Sequence, residues 1–239
     1  MINETGVVIG SATEAGPRRA LNCDAFAHHV FHDRLAVAVV DGTGTSDEVA
    51  RFADVAAEVA VRVAARRSAV HGIVAASDLC ADPEVELPSP SGAIVVAVAE
   101  PGELWRIAWA GDCTAHAHQD GEAWRLTRPH TNGQLLRDEG EPEEIARQHD
   151  HQLMNGVARV DQGGIDTVTV RCPVLVLASD GLLRVSDDEM TDVLAAHPSP
   201  QDAAEVLLKT ARARSGDDIT VLVVRHPEVT EEATAGQPR

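Results

Sequence analysis

The sequence predicts an α+β chain in which antiparallel strands form the sheet and helices pack outside it. Three observations carry this. Leu35 to Val40, Gly92 to Glu100, Trp105 to Ala110, Val174 to Ala178 and Ile219 to Val224 are apolar runs of strand length, rich in branched residues. Pro101-Gly102 joins two of them as the turn of a hairpin, so part of the sheet is antiparallel. Strands and helical stretches alternate irregularly, unlike a doubly wound parallel sheet.

Taken in order, Thr5 to Ala12 reads as an opening strand and Gly16 to Ala25 as a polar connection holding Arg18, Arg19 and Asp24. Leu35 to Val40 is a buried strand that runs into Asp41-Gly42. Thr45 and Glu48 have the spacing of a capping box. Val49, Phe52, Ala53, Ala56, Val59, Ala60 and Val63 then form the stripe of an amphipathic helix ending near Arg66 or Arg67. His71 to Leu79 reads as a short helix, and Asp82 to Pro90, with three prolines, as a loop. After the hairpin, Thr114 to His118 and Glu122 to Thr127 form a second one about Asp120-Gly121. His116 and His118 share one side of that strand. The pair could bind a metal, but a solvent face is the reading preferred. Asn132 to Gln148 is a polar, helical excursion. Asn155 to Val160 and Thr167 to Val170 read as short strands. Ser186 with Glu189 caps a helix over Asp188 to Ala196, and Gln201 to Arg212 is another. Residues 1–226 make one domain, and 227–239 a polar, disordered tail.

Composition bounds the function. The 239 residues are 44% hydrophobic with 3% aromatics and no Tyr, so one core of Val, Leu, Ile and Ala is expected. A net charge of −18 opposes nucleic acid and anionic membrane as partners; it either keeps the chain soluble or suits a divalent cation or basic peptide. Four cysteines without a C-x-x-C pair fit a reducing cytosol. No apolar leader and no run near the roughly 18 residues of a membrane span are found, so a cytoplasmic location is expected.

The chemistry lies in a repeated pattern. Apolar runs lead into Asp41-Gly42, Gly111-Asp112 and Asp180-Gly181, and Gly216-Asp217-Asp218 leads into the last run in reverse. With that last strand antiparallel to the others, the acids share one sheet edge. Like charges there either raise one another's pKa or hold a cation. An all-carboxylate set suits a hard ion such as magnesium or manganese. Separately, each pattern is also an ordinary strand-end turn.

Order and spacing add a resemblance. Arg19-x-x-Asn22-x-Asp24, Asp41-Gly42-Thr43-Gly44, Ser91-Gly92-Ala93, Ala110-Gly111-Asp112-Cys113, Leu126-Thr127-Arg128-Pro129-His130, Ala178-Ser179-Asp180-Gly181-Leu182 and Gly216-Asp217-Asp218-Ile219-Thr220 resemble, in order, the motifs of the type 2C (PPM) metal-dependent protein phosphatases. The resemblance implies two packed antiparallel sheets flanked by helices, and hydrolysis of phosphoserine and phosphothreonine on proteins by water activated at a dinuclear Mn2+ or Mg2+ centre. By motif, Asp41 bridges both ions, the Gly42 carbonyl binds one, Asp180 and Asp217 hold the other, and Asp24 acts directly or through water. Asp112 with Asp180 matches a third, weaker ion site. Arg19 binds the substrate phosphate. The expected partner is a phosphorylated protein and the expected state a monomer. Acting on an anti-sigma-factor antagonist, or shielding phosphoproteins without catalysis, are the alternatives. Cys23 stands where relatives often have Glu or Gln, Thr43 where eukaryotic members have His, and Asp218 where relatives have Asn.

Overall fold

The computed structural model describes residues 7–80, 90–102 and 104–229. Among the described residues ten strands form two five-stranded sheets, antiparallel throughout. In the first, β1 (Ile9–Glu14) pairs with β10 (Ile219–Arg225), then come β9 (Val174–Ala178), β6 (Thr114–Gln119) and β7 (Glu122–Arg125). In the second the order is β2 (Asp24–Phe31), β3 (Arg34–Gly42), β4 (Gly92–Glu100), β5 (Leu104–Ala110) and β8 (Asp166–Val170).

Alternation decides the layers. Odd positions of β3 (Leu35, Val37, Val39) and β4 (Ala93, Val95, Ala97) face the other sheet and meet Leu175, Leu177, Leu222 and Val224. Even positions (Ala36, Ala38, Val40, Ile94, Val96) face α1 (Asp47–Arg66) and α2 (Ala69–Ser77). On the opposite side, Val176, Val221 and Val223 meet α6 (Asp187–Ala196) and α7 (Pro200–Arg212). Both sheets are therefore covered on two faces, which explains strands that read as unbroken apolar runs. Small side chains let α1 lie close: Ala53, Ala56, Ala57, Ala60, Ala64 and Ala65 are all fully buried.

Several local expectations change. The opening strand starts at Ile9, and Ser46 rather than Thr45 caps α1, accepting from Val49 N–H. No Thr45–Glu48 box forms. The Ser186–Glu189 box does. Asp24–Phe31 is a strand, which its two histidines and small residues concealed. Asn155 to Val160 is not a strand; a 3-10 turn over Val157–Arg159 leads into α5 (Val160–Gly163). His116 and His118 do not face solvent. Each is 5% exposed beneath the α6–α7 layer, with His116 Nδ1 3.2 Å from Asp187 Oδ1. Asp187, at the start of α6, covers His116 on that face of β6.

The polar excursion is helical, with α3 (Asn132–Asp138) and α4 (Glu143–Ala146) tied by Arg137 to Glu143 and Asp150. Most of the Asp82 to Pro90 loop lies outside the described residues, as does the tail from 230. The start of that tail is packed, with Val229 buried and Glu228 accepting from Gly102 N–H at 3.0 Å. Among the described residues no helix is long and apolar enough to cross a membrane.

Candidate active site

One edge of the sandwich collects the predicted acids. Asp24 opens β2 and Asp41 closes β3, and the two are direct cross-strand partners. Asp112 follows β5, Asp180 follows β9, and Asp217 precedes β10. Antiparallel pairing of β9 with β10 brings the last two to the same end. Arg19 comes from the β1–β2 connection.

The backbone there is packed too tightly for side chains. A Cβ on Gly42 would lie 2.6 Å from both the Cys23 carbonyl oxygen and Val49 Cγ1; one on Gly92 would lie 2.2 Å from the Asp41 carbonyl oxygen. Gly111 adopts φ +107°, a region open mainly to glycine, and so turns β5 into Asp112. His130 fixes this turn. Its backbone N–H donates to the Gly111 carbonyl at 2.9 Å, and its Nδ1 accepts from Gly111 N–H at 3.2 Å. The ring proton is therefore on Nε2, donated to Asp166 Oδ2 at 3.1 Å.

Asp218, 2% exposed, is the anchor that sequence reading overlooked. Its carboxylate accepts from Gly16 N–H at 2.7 Å and Cys23 N–H at 2.9 Å, pinning the segment that carries Arg19. Arg19 donates to Asp217 Oδ1 and to the Gly44 carbonyl, with Asp218 Oδ2 3.6 Å away. The Asp-Asp doublet was the available signal. Ser179 and Thr220 were overlooked as well. Their hydroxyls face Asp24, and the Thr220 N–H donates to Ser179 Oγ at 3.0 Å.

Burial and crowding make the rim reluctant to ionise. Burial, then Asp24, Asp180, Asp112 and Asp217, raises Asp41 well above the usual carboxylate range. Burial pushes Asp24 up to about 7 against the Ser179 and Thr220 hydroxyls. Burial, reinforced by Asp180, pushes Asp112 to about 7. Asp180 rises to about 6 through burial and Asp217, while a side-chain hydrogen bond to Asp41 pulls the other way. Two carboxyl groups in hydrogen-bond contact need a proton or a cation between them. The nearby thiols are poor nucleophiles, since burial raises Cys23 and carries Cys113 further up.

The residues fit a hard cation. Every charged donor is a carboxylate oxygen, and Asp24 Oδ2 is buried without a hydrogen-bond partner among the described residues. Even so, no three His, Cys, Asp or Glu side chains among the described residues form a closed ligand cage.

No protein-family model matches the chain. A 55-residue stretch, 22% of the chain, is 49% identical to "Protein phosphatase 2C homolog 4" of Schizosaccharomyces pombe and spans 14% of that protein. A serine/threonine phosphatase from S. agalactiae superposes with a TM-score of 0.76 at 20% identity, covering 92% of this chain and 99% of the other. The PPM Ser-Thr phosphatase MsPP from Mycobacterium smegmatis, in complex with cacodylate, gives 0.68 at 24% identity over 91% and 97%. The chain has the PPM phosphatase fold. The catalytic domain of PstP, in complex with two manganese ions, shares it too, with a TM-score of 0.65 at 23% identity over 92% and 97%. In this PPM fold the two sheets of the sandwich are the two sheets expected from the motifs, and the motif acids fall at one edge.

Proposed function

We propose that the chain hydrolyses phosphoserine and phosphothreonine on proteins in a reaction dependent on divalent cations. The observation that carries this is the gathering of Asp24, Asp41, Asp112, Asp180 and Asp217 at one edge of the sandwich, with Asp24 and Asp41 as cross-strand partners. A cluster of acids that raise one another's pKa is costly unless it serves a cation. The PPM fold and the two manganese ions of the PstP structure support the same reading.

In this reading Asp24, Asp41, the Gly42 carbonyl, Asp180 and Asp217 would hold two Mn2+ or Mg2+ ions, and Asp112 with Asp180 would offer a weaker third position. Such ions would supply a water that ionises near neutral pH and would neutralise charge on the phosphoryl oxygens. Arg19 then orients the phosphate through its forked donors. Its reach to Asp217 and Gly44 O places the guanidinium beside the rim. Asp218 holds the Arg19 segment against β10, and His130 holds the Asp112 turn. No side-chain nucleophile is required.

Phosphate release from a phosphothreonine peptide tests this, with manganese, with magnesium and with chelator. Release with either ion and none in chelator is expected. Tight manganese binding with no release from any peptide would leave a phosphoprotein-binding module and overturn the hydrolase.

A further inference from the structure

Beside the acidic rim lies a cavity of about 490 Å³ whose walls carry the opposite charge. Arg18 and Arg19 come from the β1–β2 connection, Arg184 from the 3-10 turn Asp180–Arg184, and Arg214 from the segment after α7. Four of the 20 Lys and Arg residues of a chain with net charge −18 thus line one cavity. Its acids are Asp180 and Asp217, both at the rim.

The four arginines are not equivalent. Arg19 is engaged with Asp217. Arg214 makes a paired contact with Glu189 at 2.6 and 2.8 Å, and its Nη1 also donates to the Arg184 carbonyl at 3.0 Å. Arg214 therefore spends its charge on Glu189 and braces the backbone of Arg184. Arg18 and Arg184 are exposed, and among the described residues the guanidinium of neither has a hydrogen-bond or ion-pair partner. Arg184 acts on the rim from four residues beyond Asp180, where its charge opposes the rise of that carboxyl. Arg18 Nη2 would sit 3.7 Å from a Cβ on Gly216, so its guanidinium lies along the loop that presents Asp217. Two forked cations without partners, flanking the proposed phosphate position, match carboxylates on a peptide.

We propose that this cavity selects phosphopeptides with Asp or Glu beside the phosphorylated residue, Arg18 and Arg184 being the docking cations. The proposal rests on the phosphatase reading of the rim and adds its substrate class. At physiological salt, charges act over about 8 Å. The local pair therefore outweighs the acidic surface further away.

The test uses phosphothreonine-mimic peptides in which a difluoromethylene group replaces the ester oxygen, flanked by Glu, Ala or Lys. Binding is followed by fluorescence anisotropy in manganese. The Glu peptide is expected to bind about tenfold more tightly than the Ala peptide, the scale of two exposed ion pairs. Raising the salt should shrink that advantage, and the double variant Arg18→Gln, Arg184→Gln should bring the ratio close to one. Equal affinities in the wild type, or a ratio that survives the double variant, would overturn the proposal. Phosphate release from the corresponding ester peptides separates the two readings. Cleavage of all three with equal affinities keeps the phosphatase and removes the docking site. No cleavage with a tenfold affinity ratio removes the hydrolase and keeps the docking site.

Discussion

At the scale of single residues, Asp180 and Arg19 separate function from stability. Asp180 contacts Asp41 and is raised by burial and Asp217. Asn there removes a charge from the rim and gives Asp41 an amide donor. Phosphate release should fall about a hundredfold or more, since even outer partners of metal ligands are worth that much. In chelator at pH 8 the same variant should melt above the wild type, because it lacks one member of a repelling set. Full turnover in Asp180→Asn would remove Asp180 from the site. Arg19→Ala deletes a phosphate contact present before and during the reaction, so KM should rise by about tenfold or more with kcat nearly kept. Steady-state kinetics on one phosphopeptide decides it. A loss confined to kcat would mean that Arg19 acts in the transition state only.

At the scale of elements, the segment from Gly16 to Cys23 has no regular structure, and its position depends on Asp218 on the last strand. The carboxylate accepts two backbone N–H groups. An Asn at this position can accept one and must turn its NH2 toward the other, leaving a buried donor unpaired. Asp218→Asn is therefore expected to lower unfolding free energy by about 1–3 kcal/mol and to open the segment to proteolysis. Urea titration with limited digestion measures both, and an unchanged midpoint would show that the second N–H finds another acceptor. This anchor marks where the sequence was legible and where it was not. Strands 92–100, 174–178 and 219–225 were readable because burial on both faces leaves continuous branched runs. Asp41, Asp112, Asp180 and Asp217 were readable because each borders such a run, whereas Asp24 was reached only through the motif resemblance. Asp24–Phe31 was missed because His28 and His29 break the apolar pattern on a half-buried strand. The burial of His116 was missed because what covers it, α6, comes about 70 residues later. Asp218 was read only as standing where relatives have Asn, and the fold shows its carboxylate turned inward to two backbone N–H groups while Asp217 takes the Arg19 hydrogen bond.

At the scale of the whole molecule, the rim couples folding to pH and to cations. Asp24 and Asp112 sit at about 7 and Asp180 at about 6, against an ordinary value of 3.8. For an acid raised on folding, the folded chain binds more protons between the two values, so stability falls as pH rises through that window. The rim's contribution is thus fully present below about pH 4 and lost through about pH 6–7. Other groups move oppositely there. His116 and His29, lowered chiefly by burial, favour the fold as they lose their protons near neutrality. Asp187 and Glu189, lowered by His116 and Arg214 respectively, are already ionised and do not change above pH 5. A plain melting curve against pH would mix these effects, but the difference between manganese and chelator cancels those away from the rim. A cation must displace more protons from the rim at pH 5 than at pH 8, so its stabilisation should be larger at pH 8. A free cation concentration of a hundred times its Kd would add about 2.7 kcal/mol. Thermal melts at pH 5 and pH 8, each with manganese and with chelator, measure this. Equal gains at both pH values would mean that the cation binds without displacing the rim's protons, and the acids named here would then not be its ligands.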